Sequence, residues 1–254
     1  MVGKGVGQDI IVDISGLAKH FGEVHAVDKV DLQIFQGEIL AIVGANGAGK
    51  TTLLKMISGG HSIDRGNLLL QGLDVSRLGL IQRARLGIIY SFQIPALFEN
   101  LSTLDCLRMT VFTRERKTVM FFPTIEKFPS VKKEAEDILD MFQIPKDPPA
   151  CLLPHGQRKL LDVAMAFALK PRLLLLDEPT SGVSTKEKGQ VMDTIIPIIR
   201  QTNTTTVIVE HDMEIVTRYS DRVIVMDQGR VLAQGTPQEV LSNPKVGEVL
   251  LWRR

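Results

Sequence analysis

The chain has 254 residues, 44% hydrophobic and 23% charged, enough to bury a substantial core without disulfides or structural metal. Thirty basic against 29 acidic residues leave no global field for a polyanion, which argues against autonomous binding to nucleic acid. Cys106 and Cys151 are too few for a disulfide framework and lack zinc spacing, and no run reaches the roughly 18 apolar residues that span a bilayer. With no early apolar segment before a small-residue cleavage site either, the chain is expected in the cytoplasm, and any membrane role comes through partners.

Residues 10–14 (IIVDI) and 30–34 (VDLQI) read as strands. Residues 39–43 (ILAIV) form a continuous apolar run, as in a strand buried on both faces. A glycine-rich turn follows, then a helix at 50–58 closed by Gly59 and Gly60. Residues 66–73 read as strand and turn. Between about 95 and 155 the character becomes helical, most clearly at 131–142, where apolar residues at 131, 135, 138, 139 and 142 mark an amphipathic helix. The stretch 118–129 carries no clear pattern. The α/β alternation then resumes, with a helix at 156–168, a buried strand at 173–176 and a helix at 186–202 that Pro197 is expected to kink or interrupt. A strand at 205–209 follows, and a hairpin over 221–233 turns at Gln228-Gly229. One α/β domain results, with a core at 1–95 and 156–254 and a helical insert at 96–155.

Residues 44–51 read Gly44-Ala45-Asn46-Gly47-Ala48-Gly49-Lys50-Thr51, a full G-x-x-x-x-G-K-[ST] match between a buried strand and a helix. Glycines let successive N–H groups turn inward around phosphate oxygens, and the helix N-terminus adds partial positive charge. Nucleotide binding is therefore assigned to residues 44–51 together with the adjoining Thr52. Lys50 would reach the β and γ phosphates of ATP, and the Thr51 hydroxyl would ligate Mg²⁺. The loop alone does not separate a transport ATPase from a kinase or GTPase.

Residues 173–178 read LLLLDE, an apolar strand ending in two acids. At the C-terminal edge of a parallel sheet such groups face the ligand crevice. Asp177 is placed to hold Mg²⁺ through water, and Glu178 to orient and polarise an attacking water.

Further features, in order and spacing, make essentially the whole chain resemble the nucleotide-binding domain of ABC transporter ATPases. Gln93, within Tyr90-Ser91-Phe92-Gln93, matches the glutamine loop; 153–157 (LPHGQ) stands at the signature LSGGQ; 181–184 (SGVS) stands at the D-loop. His211 matches the switch histidine, and Phe21 falls where an aromatic stacks on adenine. The resemblance implies a P-loop core with an antiparallel β subdomain and an inserted helical subdomain. It implies that Gln93 links Mg²⁺ and the attacking water to a transmembrane partner, that His211 contacts the γ-phosphate, and that Gly156 and Gln157 face a nucleotide across a head-to-tail dimer. Catalytic duty then falls to Lys50, Gln93, Glu178 and His211, and metal binding to Thr51, Gln93 and Asp177. The partners implied are permease subunits, a second ATPase subunit and, indirectly, a solute-binding protein, with the chain peripheral on the inner face of the membrane.

The signature departs from the pattern at two positions. Pro154 replaces the signature serine and so removes a hydroxyl and an N–H, and His155 replaces the first glycine. The site using this signature is expected to be impaired while the site built on Lys50, Asp177, Glu178 and His211 is intact, which favours a heterodimeric motor. Ser184 stands where many members carry Asp. The stretches 177–188, 210–216 and 235–250 resemble the LivG-like importers of branched-chain amino acids, with urea-type importers and lipid or lipopolysaccharide exporters as alternatives. A non-transport ABC ATPase lacks support, since the long coiled coils, zinc cysteines or second cassette usual there are missing. A small-molecule P-loop kinase would leave the LPHGQ stretch and His211 unexplained.

Overall fold

The computed structural model describes residues 9–91, 98–115 and 128–251. In chain order the elements are β1 (Ile10–Phe21), β2 (Val24–Phe35), β3 (Ile39–Gly44), α1 (Lys50–Ser58), β4 (Arg65–Leu70), β5 (Leu73–Asp74), α2 (Leu80–Arg85) and β6 (Ile88–Ser91). There follow α3 (Thr103–Arg114), α4 (Pro129–Met141), α5 (His155–Ala168), β7 (Leu173–Asp177), α6 (Thr185–Gln201), β8 (Thr205–Val209), α7 (Met213–Tyr219), β9 (Arg222–Asp227), β10 (Arg230–Gly235), α8 (Pro237–Leu241) and α9 (Pro244–Leu251).

Two sheets organise the molecule. One is antiparallel, with order β2-β1-β4-β5; the other has order β10-β9-β3-β8-β7-β6. Within the second, β9, β3, β8, β7 and β6 run parallel and only β10 is antiparallel. The apolar runs explain its central position. Every residue of β3, β7 and β8 is buried, because successive side chains enter different cores on the two faces. Leu40, Ile42, Leu173, Leu175, Val207 and Val209 join α1 and the antiparallel sheet on one side. Leu174, Leu176 and Ile208 join α3, α4, α5 and α6 on the other, while Ala41 and Val43 pack toward α7 and α8. Helix α1 thus lies between the two sheets, and β3, β7 and β8 deliver their C-terminal ends to one shared edge.

The strands expected at 10–14 and 30–34 are parts of two 12-residue strands. Their alternation is obscured because the β1–β2 register shifts at several irregularities, each of which moves side chains between faces. Pro197 does not interrupt its helix: α6 runs unbroken from Thr185 to Gln201. The proline faces solvent, while Ile195, Ile196, Ile198 and Ile199 are buried around it, so packing holds the helix through the missing hydrogen bond. The periodicity at 131–142 is realised in α4, whose Val131, Ala135, Ile138 and Leu139 are buried. The β9–β10 hairpin turns at Gln228 (φ 45°) and Gly229 (φ 79°), the two positive φ values of a tight hairpin turn.

A buried arginine organises the far end of α1. The Arg83 guanidinium, 1% exposed, donates to the carbonyls of Met56 (2.5 Å), Ile57 (2.9 Å), Ser76 (3.0 Å) and Leu78 (2.8 Å). Met56 and Ile57 lie in the last turn of α1, where carbonyls lack the regular helical partner, and Met56 also accepts from the Gly59 N–H at 3.3 Å. A cation there also complements the helix dipole.

Candidate active site at the sheet edge

The loop from Gly44 to Gly49 leaves the end of β3 and enters α1. Two of its glycines are required by shape as well as by backbone angle. Gly44 (φ 150°) and Gly49 (φ 98°) adopt positive φ, and a Cβ on either would come within 2.2 Å of a carbonyl oxygen, that of Met226 and of Ala26 respectively. Neighbouring elements therefore press on the loop from outside. The β9–β10 turn braces it as well, Gly229 N–H donating to the Ala48 carbonyl at 3.0 Å. Asn46 and Gly47 at its crest are exposed, and no atom lies within 4 Å of where a Gly47 Cβ would stand.

Lys50 is buried at the first position of α1, its Nζ donating to the carbonyls of Gly44 (2.8 Å) and Ala45 (3.0 Å). Burial pushes its pKa down, and the nearby carboxylates of Glu178 and Asp177 oppose that shift. One helical position on, the Thr51 hydroxyl donates to Asp177 Oδ1 at 3.2 Å across 126 residues of sequence. Asp177 ends β7, is 2% exposed, and accepts a second hydrogen bond on Oδ2 from the Tyr90 hydroxyl at 2.6 Å. Thr52 lies on α1 next to Thr51 and is half-buried.

Glu178 has φ 52°, a left-handed conformation uncommon for a residue with a side chain. That turn swings it away from the strand, and its Oε1 meets His211 Nε2 at 2.5 Å. The two segments are tied behind this contact. Glu210, buried at the end of β8, accepts on Oε1 from the Thr180 N–H (3.2 Å) and hydroxyl (2.7 Å), and on Oε2 from the His211 N–H (3.3 Å). Burial holds its carboxyl above the usual range against those donors. Lys159 of α5 is likewise buried, its pKa pushed down by desolvation, and donates to Ser181 Oγ at 3.0 Å.

Lys50, Thr51, Asp177, Glu178 and His211 therefore meet along the edge where β3, β7 and β8 end. Other sequence-predicted residues stand apart. Phe21 sits at the tip of the β1–β2 hairpin, half-exposed, its ring edge-on to His61 at 5.3 Å. Pro154, Gly156 and Gln157 open α5 and line a separate crevice of about 520 Å³ with Glu187 and Gln190 of α6. The His155 ring stands over Gly182, where an added Cβ would come within 3.0 Å of it. Pro154 occupies the cap position of α5 without a side-chain cap, whereas Ser184 caps α6 by accepting from the Glu187 N–H. Gln93 lies outside the described residues. Tyr90, Lys159 and Glu210 were not singled out by sequence, although each is a polar group beside or within an apolar run, which is a usable signal.

A glycine loop opening a helix, with a carboxylate-ended strand converging on it, defines a P-loop nucleotide-binding protein of the α/β class. The comparisons with known proteins carry the assignment further. The family model described as ABC transporter matches residues 27–181, more than half of the chain. LivG of Escherichia coli (strain K12), a high-affinity branched-chain amino acid transport ATP-binding protein, is 31% identical over 245 residues, covering 93% of this chain and 95% of LivG. CysA 2 of Shewanella oneidensis, a sulfate/thiosulfate import ATP-binding protein, is 34% identical over 247 residues, covering 94% of this chain and 66% of the relative. Among solved structures, the ADP conformation of an ATP-binding cassette of an ABC transporter superposes with a TM-score of 0.82 at 26% identity, covering 95% and 98% of the two chains. CbiO1 from Clostridium perfringens, part of the ABC transporter complex cbiONQ, superposes with a TM-score of 0.80 at 29% identity, covering 97% and 96%.

The chain belongs to the ABC transporter family, as a LivG-like ATP-binding cassette. It is an ATP hydrolase and the nucleotide-binding subunit of a transporter. Among its described residues no helix is long and apolar enough to cross a membrane.

Proposed function

We propose that the chain drives import of a branched-chain amino acid or a related small polar solute, hydrolysing Mg-ATP from the inner face of the membrane while bound to permease subunits. The observation that carries this reading is the 31% identity to LivG over 93% of this chain and 95% of that protein. Two sulfate/thiosulfate import proteins at 34% and 33% identity favour an oxyanion importer as the second reading, although the match reaches only 66% and 64% of their lengths. Substrate choice in such machines belongs to the permease and binding protein. The test is to isolate the chain with its permease partners and ask which solute, presented by its binding protein, stimulates ATP hydrolysis. Stimulation by leucine, isoleucine or valine supports the first reading; stimulation by sulfate alone overturns it.

Geometry and the family resemblance together support the following site roles. The N–H groups of residues 44–52 would cradle the phosphates, with Lys50 at their β and γ oxygens. The oxygen pair of Thr51 and Asp177 suits a small hard cation, and Gln93 would join them by resemblance. Mg²⁺, when bound, would neutralise charge on the transferred phosphoryl group. Glu178 would orient and deprotonate the attacking water, and His211 would leave Glu178 Oε1 to donate to the γ-phosphate. Phe21, exposed at its hairpin tip, would stack on adenine.

The 96–155 segment would act as the helical subdomain that carries closure to the permease. A second, different ATPase subunit would supply the signature that completes this site, since Pro154 gives α5 neither a cap hydroxyl nor an N–H. ATP binding would then close the pair and hydrolysis release it. If the purified chain alone hydrolyses ATP cooperatively, at a rate indifferent to Pro154→Ser, the heterodimer reading fails.

A further inference from the structure

We infer that Tyr90 is a positioning residue for the metal-binding carboxylate, an inference that rests on the reading of Thr51 and Asp177 as magnesium ligands. Strands β6 and β7 are parallel neighbours with Tyr90 level with Leu175, so the phenol reaches along the sheet to the side chain that ends β7. There its hydroxyl donates to Asp177 Oδ2 at 2.6 Å, while Oδ1 of the same carboxylate accepts from Thr51 at 3.2 Å. The terminal torsion of an aspartate is broad and two-fold, so a carboxylate with one partner swings easily. A donor on each oxygen fixes its plane. With Asp177 2% exposed, bulk water is poorly placed to take over that task.

The phenol is suited to remain a donor. Facing a carboxylate oxygen, which only accepts, the hydroxyl is the donor of this pair. Donation to Oδ2 leaves Oδ1, beside the Thr51 hydroxyl, as the oxygen that would serve Mg²⁺, directly or through water. Outer partners of this kind orient a metal's ligands without touching the ion, and their loss typically lowers metal affinity about 10- to 100-fold.

The alternative is a clasp that only joins β6 to β7, and the two make different predictions for Tyr90→Phe, which keeps the ring and removes the hydroxyl. The full chain is titrated with a fluorescent ADP in EDTA, then with Mg²⁺ at fixed ADP, and Mn²⁺ binding to the ADP complex is followed by electron paramagnetic resonance. Positioning predicts unchanged metal-free ADP affinity, a half-saturating Mg²⁺ concentration raised about 10-fold, and an altered Mn²⁺ spectrum. Equal losses of ADP affinity with and without metal, or a Mg²⁺ requirement identical to wild type, would overturn it. Asp177→Asn separates the two levels of argument. If it abolishes the metal dependence while Tyr90→Phe leaves it untouched, the Tyr90 inference alone fails. If Asp177→Asn also leaves it untouched, the ligand reading beneath it has failed.

Discussion

At the scale of single residues, the site divides into groups legible from neighbours in sequence and groups legible only from the fold. Lys50 and Glu178 are of the first kind, and the roles proposed for them predict opposite failures. Lys50→Ala removes the buried ammonium proposed to reach the phosphates and should lose most nucleotide affinity in a direct binding titration. Glu178→Gln keeps shape and removes the base, so ATP should still bind while hydrolysis falls roughly 10²- to 10⁴-fold, the usual contribution of such a group. Normal steady-state turnover by Glu178→Gln would remove that residue from its role. The second kind explains what sequence left unread. Tyr90 reaches a partner 87 positions away, Glu210 one 30 positions away and Lys159 one 22 positions away. Nothing local to any of them marks those distances. What was visible was a polar residue beside an apolar run, which announces that a partner exists without naming it.

Among the elements, those buried on both faces were the plainest to read and those resting on tertiary support the least. The runs at 39–43 and 173–176 became β3 and β7 within a residue of their expected limits, since an uninterrupted apolar run has few other places to go. Helix α6 shows the converse, because a local rule about Pro197 yields to four buried isoleucines. Helix α1 depends on support of the same non-local kind. Two of its last-turn carbonyls, Met56 and Ile57, accept from Arg83, which belongs to α2 and is 1% exposed. Replacing Arg83 by Met would keep most of the packing and remove four hydrogen bonds, the two to Met56 and Ile57 being buried. The expected cost is about 3 kcal/mol, the scale set by charge-assisted bonds and the penalty for unmet buried acceptors. A urea titration should show a lower midpoint with an unchanged slope. A shift indistinguishable from zero would mean that water replaces the guanidinium at no cost.

For the whole molecule, the question is how the helical segment after β6 stays joined to the nucleotide-binding core. Much of the answer is apolar, a single cluster running through α3, α4, α5 and α6. A charged clasp is added at its rim. Arg114 of α3 donates to both oxygens of Glu134 of α4, at 2.9 and 2.7 Å, and to the Ala168 carbonyl at the end of α5 at 2.7 Å. Lys170, just beyond α5, reaches Glu134 at 3.1 Å. Hydrogen bonding from Arg114, with help from Lys170, holds the Glu134 carboxyl down at about 2, below its ordinary 4.5. A carboxyl whose pKa falls on folding stabilises the native state when ionised. Its contribution is therefore complete above 4.5 and is lost as the pH falls from there through about 2. Glu134→Gln should lower the thermal midpoint at neutral pH, and the gap from wild type should close progressively over that acid interval. The gap should also shrink with added salt, because Glu134 is partly open to solvent and its attraction to Arg114 and Lys170 is screened. A gap that persists unchanged to the acid end would assign the loss to side-chain packing and leave the apolar cluster alone to hold the three helices together.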